Sequence, residues 1–152
     1  MKLTLILLIF AVSTLSGCAY WKNQTPPKRL GLNEDNQFAP MPESPNAVSS
    51  QTSIESHYVA PIAFSSSAQT VQKQIVAALR KMPNSQLVTV LPHYIHVTFT
   101  STLWRFIDDV EIYIDTQHHL IHYRSQSRLG YSDFGVNRAR YQLFVEQLAQ
   151  QQ

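Results

Sequence analysis

Three carboxylates, Asp108, Asp109 and Glu111, occupy four positions of the run IDDVEIYID, residues 107–115. Crowded acids raise one another's proton affinity, so such a cluster can hold an acid beside a base at neutral pH, as a small hydrolase or lyase requires. Strand alternation works against that use, because it sends Asp109 and Glu111 to one face and Asp108 to the other. An inward Asp108 needs a cation, which Arg105, Arg128 or Arg138 could supply. Structural ion pairs are the favoured reading over acid–base catalysis, so no catalytic residue is assigned. His96 and His122 share the face of Glu111, and two imidazoles with a carboxylate could hold a divalent metal. No HxH or HExxH spacing accompanies them, so they read as polar strand residues and no metal is expected. GxSxG elbows and phosphate-cradling glycine loops are also missing, and no cofactor is expected.

The second constellation is SRLGYSDFGVNR, Ser127 to Arg138. As a strand-to-helix corner it uses Gly130 for a left-handed turn and Ser132 or Asp133 as helix cap, with Gly135 inside the first turn. Arg128, Asn137 and Arg138 are left over. Free N–H groups at a helix start together with guanidinium groups could bind an anion or a partner. Asp133 would repel that anion, and the arginines could pair with Asp108 or Asp109 instead.

The elements that must place these residues follow from periodicity. Val71, Ile75, Leu79 and Met82 recur at helical spacing behind Ser67, a plausible cap, and Pro83-Asn84 ends that helix. Strand-like stretches follow at QLVTVL, at YIHVTFTS (Ile95, Val97, Phe99), at VEIYID (Val110, Ile112, Ile114) and at LIHYRSQSR (Ile121, Tyr123). Val136, Tyr141, Phe144, Val145 and Leu148 form a closing helical stripe. With Thr116 to His119 as a hairpin loop, Ile114 meets Ile121, Ile112 meets Tyr123, Tyr113 meets His122 and Glu111 meets Arg124. A one-residue slip would break the parity on both faces. The expected fold is α+β: an antiparallel sheet of three to five strands with two helices packed on one face.

The chain opens with Lys2 and the apolar run LTLILLIFAV, Leu3 to Val12. That run suits a signal-peptide core and is too short for a bilayer, which takes about 20 apolar residues. Leu15-Ser16-Gly17-Cys18 follows, and it resembles the lipobox of bacterial lipoproteins, in which the Cys is acylated before cleavage. Ala19 rather than Asp after Cys18 implies, by the same resemblance, sorting to the outer membrane. Cys18 is the only cysteine, so the domain can hold no internal disulfide and no thiolate zinc site. Loss of Lys2 lowers the formal charge from +2 to +1, which speaks against a nucleic-acid partner. Pro26, Pro27, Pro40, Pro42 and Pro45 stretch an aperiodic segment that reads as a solvated tether. The expected organisation is a signal peptide over 1–17, an acylated Cys and flexible Pro-rich tether over 18–45, and one α+β domain over 46–152.

RFIDDVEIYID and IHYRSQSRLGYSDFGVNR together resemble the uncharacterised family catalogued as domain of unknown function 1499. The matching positions are Arg105, Phe106, Asp108, Asp109 and Glu111, then Ser127, Arg128, Gly130, Tyr131, Ser132, Asp133, Gly135, Asn137 and Arg138. SPNAVSSQ is similar to a further motif in which members often carry Cys after Pro-Asn; Ala47 stands there in this chain. The resemblance implies no substrate. The expectation is an envelope lipoprotein facing the periplasm, held by palmitate-type acylation at Cys18. Its domain would be a non-catalytic module for an envelope protein or a small anionic ligand, and the alternative is the small hydrolase or lyase.

Overall fold

A computed structural model describes residues 19–151; the expected signal peptide and Cys18 lie outside the described residues. Two strands near the start are short, β1 (Ala47–Ser49) and β2 (Ile62–Ala63), with a 3-10 turn at Glu55–His57 between them. Then come α1 (Ala68–Lys81), β3 (Ser85–Val90), β4 (Tyr94–Thr100), β5 (Ile107–Asp115), β6 (Leu120–Ser127) and α2 (Val136–Ala149). The strands form one six-stranded antiparallel sheet in the order β1-β6-β5-β4-β3, and β2 shares the β6 edge with β1. The α+β architecture is the expected one, with more strands than the three to five the periodicity suggests. The additional strand, β1, is only three residues long, too short for an alternation to announce it.

β5 and β6 pair in the expected register: Ile114 faces Ile121, Ile112 faces Tyr123, Tyr113 faces His122 and Glu111 faces Arg124. β4 extends the pattern, setting Ile95 against Ile112 and Val97 against Val110. One face therefore presents a continuous apolar surface, and α1 and α2 cover it. Val71, Ile75, Ala78 and Leu79 of α1 join Phe144 and Leu148 of α2 against those strand residues, all buried. Ser67 caps α1 by accepting from the Thr70 amide at 3.2 Å. Among the described residues no helix is long and apolar enough to cross a membrane.

α2 departs from its expected stripe at the first position. Val136 is half exposed and Asn137 is fully buried. Asn137, Tyr141, Phe144 and Leu148 stand at i, i+4, i+7 and i+11, so the inward face of the helix opens on an amide. Gly135 also differs: it is the N-cap rather than part of the first turn, with φ +81°. A left-handed cap takes glycine at least cost.

On the opposite, outer face of the sheet the proline-rich segment runs beside β5. At Asn23, Gly31 and Phe38 this segment, expected as a free, solvated tether, is instead held to the domain. Residues 19–24 are helical, and Asn23 then donates to the Arg105 carbonyl (2.8 Å) and accepts from the Ile107 amide (2.9 Å). Further on, the Gly31 amide reaches the Glu111 carboxylate at 2.7 Å. Phe38 is buried, and its amide donates to Gln51. The segment so forms a strap along β5, from its first residue to its middle, before turning back toward β1. Buried polar groups on a sheet face need partners, and the strap supplies some of them.

Candidate functional site at the strand-to-helix corner

The residues singled out by the sequence are distributed over three hydrogen-bonded groups at and beside the corner between β6 and α2. The first lies on the helix-covered side, where Asp108 stands opposite Ser127. Asp108 accepts from Arg140 Nη2 at 2.5 Å. Arg140 is thus its cation, in place of the expected Arg105, Arg128 or Arg138. One turn of α2 explains the choice: Arg140 stands three residues after Asn137 and so shares its inward face. The same guanidinium donates to Asn137 Oδ1 (2.6 Å) and lies 4.8 Å from the centre of the Phe99 ring. Asn137 in turn donates to the Asn46 carbonyl (2.9 Å) and to Ser127 Oγ (3.1 Å), and accepts from the Ser125 hydroxyl. Asn46 completes the group by donating to the Gly130 carbonyl at 2.7 Å.

The second group lies on the outer face. Asp109 is fully buried and receives Arg128 Nε at 2.7 Å, Arg128 Nη2 at 2.8 Å and His96 Nε2 at 2.8 Å. Burial by itself raises this carboxyl; the hydrogen bonds from Arg128 and His96 outweigh it and hold Asp109 below the ordinary carboxylate range. Arg128 also donates to the carbonyls of Asn23 and Gln24, fastening the strap. The third group centres on Glu111, likewise fully buried. It accepts from Arg124 Nη1 (2.7 Å), the Tyr94 hydroxyl (2.8 Å) and the Gly31 amide. Burial, and then the facing Glu111, raise the Tyr94 phenol, so it stays protonated as a donor.

The remaining candidates are separated from these groups and from one another. Arg138 donates to the carbonyls of Tyr58 (2.9 Å) and Ser56 (2.8 Å), clamping the 3-10 turn. Asp133 accepts from the amides of Gly135 (3.0 Å) and Asn137 (2.8 Å), serving the helix start from two positions before Gly135, which is the N-cap in place of Ser132 or Asp133. Arg105 is exposed at φ +56°. Arg128, Asn137 and Arg138 thus share no pocket through their polar groups: each engages a different part of the chain. The two histidines part as well. His96 goes to Asp109, while His122 meets Ser50 at 3.1 Å and has Asp115 at 3.9 Å. Burial lowers the His122 imidazole, against the opposing pull of Asp115. Among the described residues no three His, Cys, Asp or Glu side chains gather as a metal site would require.

A shallow cavity of about 640 Å³ opens between the strap and the end of β6, lined by Trp21, Lys22, Lys28, Asn46, Gln126 and Arg128 among others. The Arg128 guanidinium is already matched by Asp109, so Lys22 and Lys28 are the cations this cavity offers an incoming group. Sequence reasoning missed Arg140, Asn46 and Asn23. Only Arg140 left a signal, its helical spacing from Asn137; the other two act across more than 80 positions of the chain.

Fold and corner together define a class: an antiparallel sheet with two helices on one face, whose motif carboxylates Asp108, Asp109 and Glu111 are each met by an arginine. The chain belongs to the family described as Protein of unknown function (DUF1499), whose model matches residues 37–148. This is the family its two motifs resemble. No curated protein matches the chain.

Proposed function

We propose that the protein is an acylated lipoprotein of the bacterial envelope, anchored through Cys18, whose domain faces the periplasm as a non-catalytic binding module. The lipobox Leu15-Ser16-Gly17-Cys18 behind an apolar run supports the anchor, and Ala19 supports sorting to the outer membrane. One observation carries the non-catalytic reading. Asp108, Asp109 and Glu111 are each bonded to a different arginine and point to two sides of the sheet. An enzyme using this cluster needs its acid and base in one pocket. Binding of a small anion is supported by the cavity that offers Lys22 and Lys28 beside Trp21.

Two measurements test this reading. Labelling cells with a palmitate analogue should modify the wild-type chain and leave Cys18→Ser unmodified; an unlabelled wild type ends the lipoprotein reading. Titrating the protein with phosphate, sulphate and sugar phosphates should raise its melting temperature saturably, and Lys22→Ala with Lys28→Ala should abolish that rise. An unaltered melting temperature in all three moves the search to an envelope protein as partner.

A further inference from the structure

The internal contacts of the corner account for most of the family-motif residues, but not for the large side chains at its tips. Leu103 and Trp104 in the β4–β5 loop, Tyr131 and Phe134 in the β6–α2 loop, and Tyr20 and Trp21 ahead of the strap are all at least 68% exposed, Phe134 95%. All three segments meet at one end of the sheet. Asn23 joins the helical residues 19–24 to the β4–β5 loop through Arg105 and Ile107. Arg128, where β6 leads into the second loop, donates to the strap carbonyls and bonds by its amide to the Ile107 carbonyl. Exposed apolar side chains scattered singly are ordinary; six large ones gathered at one end mark an interaction surface.

We propose that this end of the domain docks directly on the bilayer, its aromatic side chains seated at the lipid interface. The inference rests on the lipoprotein reading and adds to it how the domain stands on the membrane. Chain length argues for this occupant. Asn23 is fixed to the domain and lies five residues after Cys18, so even a fully extended link places the acylated residue within roughly 17 Å of the corner. The helical turn over 19–24 shortens that reach, since a helix rises only about 1.5 Å per residue. A lipid on Cys18 therefore brings this end, and not the far hairpin at 116–119, against the membrane. Composition agrees: Trp and Tyr favour the bilayer interface, where an apolar ring and a polar edge are both satisfied. Lys22 and Arg105, both exposed on these segments, match anionic headgroups.

Both tryptophans of the chain, Trp21 and Trp104, lie in this surface, so their fluorescence reports on it alone. The test uses the full acylated chain with Trp21→Phe, leaving Trp104 as reporter, in vesicles of phosphatidylethanolamine and phosphatidylglycerol. Mass spectrometry first establishes the acyl groups on Cys18. Docking predicts a blue-shifted Trp104 that is quenched by lipids brominated high on the acyl chain and several-fold less accessible to aqueous iodide. A glycine–serine spacer placed between Cys18 and Ala19 separates affinity from mere proximity. The spacer chain should still show lipid quenching, and Leu103→Asp with Phe134→Asp, both at exposed positions, should restore iodide access in it. An acylated chain whose Trp104 stays open to iodide overturns docking and leaves the lipoprotein reading standing. An unacylated Cys18 overturns both together. A Trp104 shielded from iodide but untouched by brominated lipid also overturns it, in favour of a second copy or a protein partner.

Discussion

Replacing Arg128 by alanine discriminates most sharply between a corner built for binding and a corner built to hold the sheet. Asp109 is fully buried, and Arg128 supplies two of its three hydrogen bonds, at 2.7 and 2.8 Å. Removing one partner of a buried pair leaves an uncompensated charge, which costs about 3 to 5 kcal/mol. At roughly 4 °C per kcal/mol for a domain of this length, the melting temperature should fall by about 12 to 20 °C. Arg138→Ala is the internal comparison. It loses two exposed bonds to the carbonyls of Tyr58 and Ser56, worth about 1 kcal/mol in net terms. Differential scanning calorimetry at neutral pH reads both. The variant should also change with pH in a characteristic way. Without Arg128, burial dominates the Asp109 carboxyl and raises it, so acidification neutralises the stranded charge and the deficit against wild type shrinks. Asp109→Leu with Arg128→Met should recover most of the loss, leaving unmade the His96 contact and the Arg128 bonds to the carbonyls of Asn23 and Gln24, a remainder of about 1 to 3 kcal/mol. Equal losses for Arg128→Ala and Arg138→Ala, or a deficit that grows on acidification, would refute the reasoning.

Other consequences are read by similar means. In the wild type the sign of the acid limb is fixed: Asp109 titrates below its unfolded value of 3.8, so its contribution is complete above that pH and is lost as pH falls through the lowered native value. His122, lowered by burial from 6.5, adds an earlier loss: the unfolded chain binds its proton first, so stability declines as pH drops from 6.5 toward the native value. His122→Gln should flatten that early limb of a melting curve taken against pH. Gly135→Ala should cost about 1 kcal/mol from the left-handed backbone alone, since an added Cβ would meet nothing within 4 Å; a neutral substitution contradicts the observed φ. Hydrogen exchange should find the amides of Gly31 and Ile107 protected, and Asn23→Ala should release residues 23–31 while the centre of β5 and β6 exchanges as before. Unprotected amides at both positions in the wild type would remove the strap.

The difference between what the sequence discloses and what it conceals follows from the range of the interactions. The β5–β6 hairpin was legible because a four-residue loop and alternation on both faces admit one register, and Glu111 opposite Arg124 is a local consequence of that register. The asparagines at 23, 46 and 137 were not legible as structural residues. Each satisfies backbone or hydroxyl groups brought near by the completed fold, and an asparagine carries no periodic pattern that announces such a role. Arg140 is intermediate: its helical spacing from Asn137 was visible, but only a buried Asn137 gives that spacing meaning. Val136 misleads for the same reason: its hydrophobicity suggests the inward face, where the fold places the Asn137 amide.

The strap has the largest consequence for function. Composition describes its prolines as spacer, yet an extended chain is also the conformation that can lie along a sheet and donate to buried carboxylates. Its Gly31 amide meets Glu111, and its Asn23 side chain meets the start of β5. Given the proposed anchor at Cys18, those contacts would leave only a short, fixed link and would hold the domain with a defined end toward the membrane. The motif acids and arginines, at first sight a catalytic cluster, hold the sheet and strap together. The exposed side chains at the loop tips are then the part of the corner left free to meet something outside the chain.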